Sequence, residues 1–240
     1  MTAPTAPYIA RVEPFIDSAD VLDDHAAIQR RAAADGYLFF RNLAPRDLVE
    51  QLRGQVLDQC ARRGWLDGHT LPRRDELLAW QADVQVLPAF SALRGERRIT
   101  SVLEMIFGVP AVAGCGDVCR VAFPRDLERT TRPHQDHFYT RGSTSLWTVW
   151  IPLGDCPASL GGLAVLPGSH TDGLRAHDGG EGESRYIILA DDVPWAGTDF
   201  RAGDVLMVNA LTVHGARPNM TEQDVRVSID CRYRPRPHHA

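Results

Sequence analysis

SLWTVWIPLGDCPASLGGLAVLP, residues 145–167, carries two apolar runs, "SLWTVWIPL" and "LAVLP", separated by Gly, Asp and Pro. Each run is too short for an independent helix and is rich in Val, Ile, Leu, Trp and Thr, so each reads as a strand bounded by turns. The same signature recurs on either side, at "VCRVAF" (118–123), "RYIILA" (185–190), "DVLMVNA" (204–210) and "VRVSIDCRY" (225–233). Upstream of Gly108 the pattern is helical. "DSADVLDDHAAIQRRAAADG" (17–36) begins with capping residues and ends on a glycine, and "APRDLVEQLRGQVLDQCARRG" (44–64) spaces Leu48, Leu52, Val56 and Cys60 four apart. Between them "YLFFRNL" (37–43) suits a strand, and 73–107 is expected to be helical with a break at Pro88. Helices first and many short strands afterwards predict a mainly β fold with flanking α-helices, a sandwich or jelly roll. We expect a single catalytic domain over 1–240, its helical part (about 15–107) packed on a β core (about 108–233). "HDGGEGES" (177–184) reads as a mobile loop and "RPRPHHA" as a frayed tail.

Composition excludes several chemistries. Hydrophobic content of 44% and charged content of 24% are those of an ordinary globular protein, and a net charge of −5 offers no footprint for nucleic acid. The opening residues lack an apolar leader and no run is long enough to span a bilayer, so a cytoplasmic protein is expected. All 26 basic residues are arginine. Without lysine there is no Schiff base for pyridoxal phosphate and no P-loop lysine. G-x-S-x-G and G-x-G-x-x-G are also missing. Five widely spaced cysteines, Cys60, Cys115, Cys119, Cys156 and Cys231, predict reduced structural thiols rather than a disulfide framework.

The chemistry gathers in "TRPHQDHFYT" (131–140). On a strand, His134 and Asp136 leave the same face and His137 the other, so this segment offers two metal ligands. A third must come from elsewhere, among His25, His69, His170, His177, His214, His238 and His239. His214 follows the apolar strand of "GDVLMVNALTVHGARPN" and is placed to return beside the first pair. Two imidazoles and a carboxylate make a facial triad with three open positions, suited to non-haem Fe(II) oxygen chemistry. In "VRVSIDCRY", Val225, Val227, Ile229 and Cys231 share one face, and Arg226, Ser228 and Asp230 the other. Alone, the polar face reads as solvated. Joined to a triad, Arg226 becomes a fork for a carboxylate co-substrate, with Ser228 adding a hydroxyl.

In this order, H-x-D at 134–136, "LWTVWIPL", "GGLAVLPGSH", His214 and R-x-S at 226–228 resemble the 2-oxoglutarate-dependent Fe(II) oxygenases. "LWTVWIPL" and "GGLAVLPGSH", with the early "DGYLFFRNL", resemble their phytanoyl-CoA dioxygenase branch in particular, and the likeness spans roughly residues 30–233. The resemblance implies a double-stranded β-helix of cupin-like type, with Fe(II) on His134, Asp136 and His214. It also implies 2-oxoglutarate on that iron with its far carboxylate on Arg226, O2 as oxidant, and Trp147 near the co-substrate. The expected reaction is oxidation, chiefly hydroxylation, of a small metabolite. Gly215-Ala216 departs from relatives that carry a hydroxyl there, so either Ser228 supplies it or the pocket differs. His170 is expected to be no ligand, His177 to be solvated, and Trp150 and Trp195 to be core or rim residues. Arg120 reads equally as a pocket cation or a surface ion pair. A cupin-like isomerase and an inactive ligand sensor are the competing readings, and substrate contacts are expected from 65–100 and 171–185.

Overall fold

The computed structural model describes residues 9, 11–67, 71–114, 116–182 and 185–237. Cys115, His69, His238 and His239 lie outside them. In chain order the elements are β1 (Glu13–Pro14), α1 (His25–Asp35), β2 (Tyr37–Phe40), α2 (Arg46–Arg62), α3 (Arg74–Gln85), α4 (Pro88–Arg94) and α5 (Arg97–Phe107). There follow β3 (Ala111–Ala113), β4 (Val118–Ala122), α6 (Asp136–Thr140), β5 (Trp147–Pro152), β6 (Leu163–Val165), β7 (Ala196–Gly197), β8 (Val205–Asn209), β9 (His214–Ala216) and β10 (Arg226–Pro235).

The strands form two sheets. The larger runs β2-β8-β5-β10-β3 with β4 also paired to β10, and the smaller runs β1-β7-β6-β9. Alternation along each strand of the larger sheet sorts its side chains. Val149, Ile151, Val205, Met207, Val227, Ile229, Cys231 and Tyr233 point to the helical layer, where they share one core with Ile28, Leu52, Trp80, Leu93 and Leu103. Trp150, Leu206 and Val208 point the other way and meet Val165 and Ala196 of the smaller sheet across Phe39 and Phe200. The sheets are thus stacked around an interior, as in a double-stranded β-helix, and the larger one carries the helices on its back. Each fully buried Leu, Val or Phe contributes about 1.5–3 kcal/mol to this sandwich.

The helix ends explain how the chain enters the site. Asp24 caps α1, its side chain accepting from the Ala27 N–H at 2.9 Å, and Gly36 ends it at φ 71°. A Cβ at Gly36 would stand 2.4 Å from both His170 Nδ1 and Thr212 Oγ1. Only glycine lets α1, the His170 turn and the segment before His214 close on one point.

Several expectations are corrected. The stretch 73–107 breaks twice, before Pro88, which starts α4 at its first position, and again at Gly95-Glu96. "RYIILA" forms no strand. Tyr186 makes an isolated bridge to Gly179, the Ile187 N–H donates to Pro133 O, and Ile188 faces solvent, so the backbone makes single pairings instead of a ladder. The strands β1, β3 and β7, two or three residues each, are too short to leave a periodic signal.

Candidate metal centre

His134 and His214 face each other across a two-way backbone pairing. The His134 N–H donates to His214 O and the His214 N–H to His134 O, both at 2.9 Å. That pairing brings the imidazole centroids to 4.2 Å. Each ring is oriented by a bond from its Nδ1 to a carbonyl two residues back, Arg132 O at 2.8 Å and Thr212 O at 2.9 Å. A carbonyl can only accept, so both Nδ1 atoms carry the proton and both Nε2 lone pairs are presented together.

Asp136 completes the cluster. Its Oδ1 lies 3.7 Å from His134 Nε2 and 4.0 Å from His214 Nε2. One donor atom from each of the three buried residues lies within 4.8 Å of the other two. The segment is not the strand expected from its spacing. His134 is an isolated bridge residue, Gln135 is extended (φ −119°, ψ 128°), and Asp136 is the first residue of α6. The extended Gln135 alone puts its neighbours on one side. Gln135 itself, fully buried, turns away, donating to Gly173 O at 2.8 Å and Leu211 O at 2.6 Å while its Oε1 accepts from the Arg175 N–H. His137 sits in the first turn of α6, outside the donor cluster, with its N–H on Ala210 O.

Sequence reasoning missed two supports of Asp136. Thr148 Oγ1 donates to its Oδ2 at 2.5 Å, and Arg232 Nη2 donates to its Oδ1 at 3.3 Å. Burial would raise the Asp136 pKa, but the adjacent imidazoles and the Arg232 cation outweigh that and hold it well below the usual carboxylate value. His214 is pushed down to about 4, first by burial and then by the neighbouring His134. Asp136 is therefore ionised and His214 neutral at pH 7, the forms in which each can bind a metal ion. Arg232 was detectable as the next member of the alternation Arg226, Ser228, Asp230.

A narrow cavity of about 20 Å³ joins the cluster to Arg226, which is 4% exposed. Arg226 donates from Nη1 to Gly161 O, and its Nε has no partner among the described residues. Ser228 lies on the same strand face with its Oγ also unpartnered, but it does not line the cavity. Trp147 is corrected: it packs in the helix-side core, whereas Thr148 and Trp150 on the opposite face of β5 line the cavity. Arg120 is a half-buried cation on the cavity wall and is also ion-paired, its Nε 2.6 Å from Asp230 Oδ2. His177 is also corrected. It is 2% exposed, stacks on Phe138 with centroids 4.0 Å apart, and accepts the Gln135 N–H at its Nε2. His170 is no ligand: its Nε2 bonds Ala33 O at the end of α1. The described thiols, Cys60, Cys119, Cys156 and Cys231, are buried and free, and burial pushes Cys60 and Cys156 up to about 11.

The family model "Phytanoyl-CoA dioxygenase (PhyH)" matches residues 33–228. The 1-deoxypentalenic acid 11-beta-hydroxylase of Streptomyces exfoliatus is 28% identical over 94% of this chain and 86% of its own length. The peroxisomal phytanoyl-CoA dioxygenase of Rattus norvegicus is 32% identical over 83% of this chain and 65% of its own. Among solved structures, the epimerase SnoN in complex with Fe3+, alpha ketoglutarate and nogalamycin RO superposes with a TM-score of 0.62 at 24% identity, covering 89% of this chain and 88% of that one. No helix among the described residues is long and apolar enough to cross a membrane.

Proposed function

The chain belongs to the phytanoyl-CoA dioxygenase family of non-haem iron, 2-oxoglutarate-dependent oxygenases, and from that premise we propose that it hydroxylates an unactivated C–H bond of a small metabolite in the cytoplasm. In this reading one oxygen atom of O2 enters the product and the other the succinate formed, with CO2, from 2-oxoglutarate. His134, Asp136 and His214 hold Fe(II), and Arg226 holds the far carboxylate of the co-substrate.

The observation that carries the reading is the meeting, in one cavity, of a two-histidine, one-carboxylate donor set and a buried arginine with an unpartnered Nε. An unpaired buried guanidinium is costly unless an anion completes it. The donor set suits Fe(II), and the arginine fork suits a dicarboxylate. The bound iron and keto acid supply the oxidising power, whereas the chain supplies placement and exclusion of water. The Nδ1–H bonds to Arg132 O and Thr212 O fix the imidazoles, and Thr148 holds one carboxylate oxygen of Asp136 so that the other faces the histidines. Trp150 and Val208 give the cavity a dry wall. Asp136 also bears on outcome, since a carboxylate at that position leaves no ligand vacancy for halide and favours hydroxylation. A non-oxidative isomerase that takes no keto acid would have no use for the arginine.

Anaerobic addition of Fe(II) and 2-oxoglutarate to the purified protein is expected to give a weak visible metal-to-ligand charge-transfer band. Confirmed metal loading with neither a band nor binding heat from 2-oxoglutarate would sink the oxygenase reading.

A further inference from the structure

A second chamber, about 170 Å³, adjoins the metal cavity and shares Arg120, Thr131, Ala216 and Arg226 with it. We propose that this chamber receives the substrate, and that it selects an apolar molecule carrying a single anionic group, held by Arg217. The proposal rests on the oxygenase reading and adds a substrate class to it.

The walls combine two characters. Leu77 of α3, Val121 and Ala122 of β4 and the adjoining Phe123 form an apolar side. Against it stand four arginines, Arg120, Arg129, Arg217 and Arg226, with Asp126 as the one carboxylate on the wall. Three of these cations are engaged. Arg120 is bonded to Asp230, and Arg226 donates to Gly161 O and is reserved for the co-substrate. Arg129 donates to Pro72 O at 3.0 Å and stands 3.6 Å from Asp126.

Arg217 differs from them. Its backbone N–H is tied to Gly162 O at 2.9 Å, which fixes the chain just after β9. Its half-buried side chain has no hydrogen bond or ion pair with any described residue. A guanidinium partly withdrawn from water beside an apolar wall attracts an anion with an apolar body. One uncommitted cation suits one anionic group, a carboxylate, sulfate or phosphate monoester. A carrier with several phosphates would need more free cations than the chamber offers.

The test uses 8-anilinonaphthalene-1-sulfonate and N-phenyl-1-naphthylamine, which share a ring skeleton and differ in the sulfonate. Both are titrated by fluorescence into the Fe(II)-loaded protein under anaerobic conditions with saturating 2-oxoglutarate. The sulfonate is expected to bind about tenfold more tightly, the worth of a charge-assisted hydrogen bond. Arg217→Gln should erase that preference without changing the affinity of the neutral probe, and Arg217→Lys should keep part of it. Absence of sulfonate binding, or an equal preference in wild type and Arg217→Gln, overturns the proposal. Sulfonate bound to the Fe(II)-loaded protein before 2-oxoglutarate is added, and displaced by that addition, also overturns it, assigning the chamber to the co-substrate. If the charge-transfer band is absent yet the Arg217-dependent preference is found, the oxygenase reading falls and the anion-selective chamber stands.

Discussion

Asp136 is held at both carboxylate oxygens, by Thr148 and by Arg232, before any metal arrives. Such pre-orientation means that the ligands are not interchangeable with their neighbours, and the two histidines flanking Asp136 are the sharpest contrast. His134→Ala leaves a two-ligand site and should lose bound iron and succinate formation together. His137→Ala removes a ring that lies outside the donor cluster and should keep its iron, with at most a modest loss of turnover. Iron content of both purified variants decides the matter, and iron lost from His137→Ala but kept by His134→Ala would require a different ligand set. Arg226 gives an independent test at the far end of the cavity. Arg226→Ala should weaken 2-oxoglutarate by roughly 2–5 kcal/mol, as truncating a buried charge-assisted pair does, and leave Fe(II) affinity nearly intact. Calorimetry with Fe(II) and with 2-oxoglutarate separates the two effects, and unchanged co-substrate affinity would remove Arg226 from that role.

At the level of elements, legibility in the sequence followed the chemical contrast between the faces of a strand. β10 was readable because its two faces differ chemically, apolar Val227, Ile229 and Cys231 against polar Arg226, Ser228 and Asp230. β5 was readable as a strand but its facing was not, because both of its faces are apolar apart from Thr148. A strand with two apolar faces has no polar face to set its parity, so Trp147 and Trp150, three apart and therefore opposed, could not be assigned to their sides. The segment 134–136 misled differently. Same-face spacing is met by one extended residue at a helix start as well as by a strand, and the stabilising partners of that junction lie far along the chain. His177 is the chief of these. Two glycines next to it suggested a solvated loop, but its ring stacks on Phe138 and its Nε2 accepts the Gln135 N–H at 3.2 Å. His177→Ala should therefore strand a buried donor and open a cavity beside α6, costing about 1–3 kcal/mol. Urea unfolding of the metal-free protein measures that loss. A wild-type midpoint would mean that the 174–182 segment does not brace the ligand junction.

For the whole molecule, setting titratable histidines between two packed sheets makes stability depend on pH. His214 is 5% exposed and its pKa falls from an ordinary 6.5 to about 4, while burial also lowers that of His177. In the metal-free protein the unfolded chain therefore binds more protons than the folded one between these two values. Stability is complete above pH 6.5 and is lost as pH falls toward 4, by about 2 kcal/mol between pH 7 and pH 5 from His214 alone. Asp136 adds nothing in this window, because its folded pKa is depressed and its contribution is lost only below the usual carboxylate range. Iron shifts the balance in the same direction. Bound at the proposed site it needs a neutral His214, so it should stabilise most at neutral pH and least where a proton competes for that imidazole. Urea midpoints of the metal-free protein at pH 7 and pH 5 should differ markedly in wild type and by about 2 kcal/mol less in His214→Gln, which cannot titrate. His177 adds to the remaining slope, which should shrink again in the double variant, while the carboxyls of Asp35 and Asp117, raised by burial, oppose it. Equal slopes in wild type and His214→Gln would show that His214 is solvated in the metal-free state, and that the paired backbone of His134 and His214 opens when iron leaves.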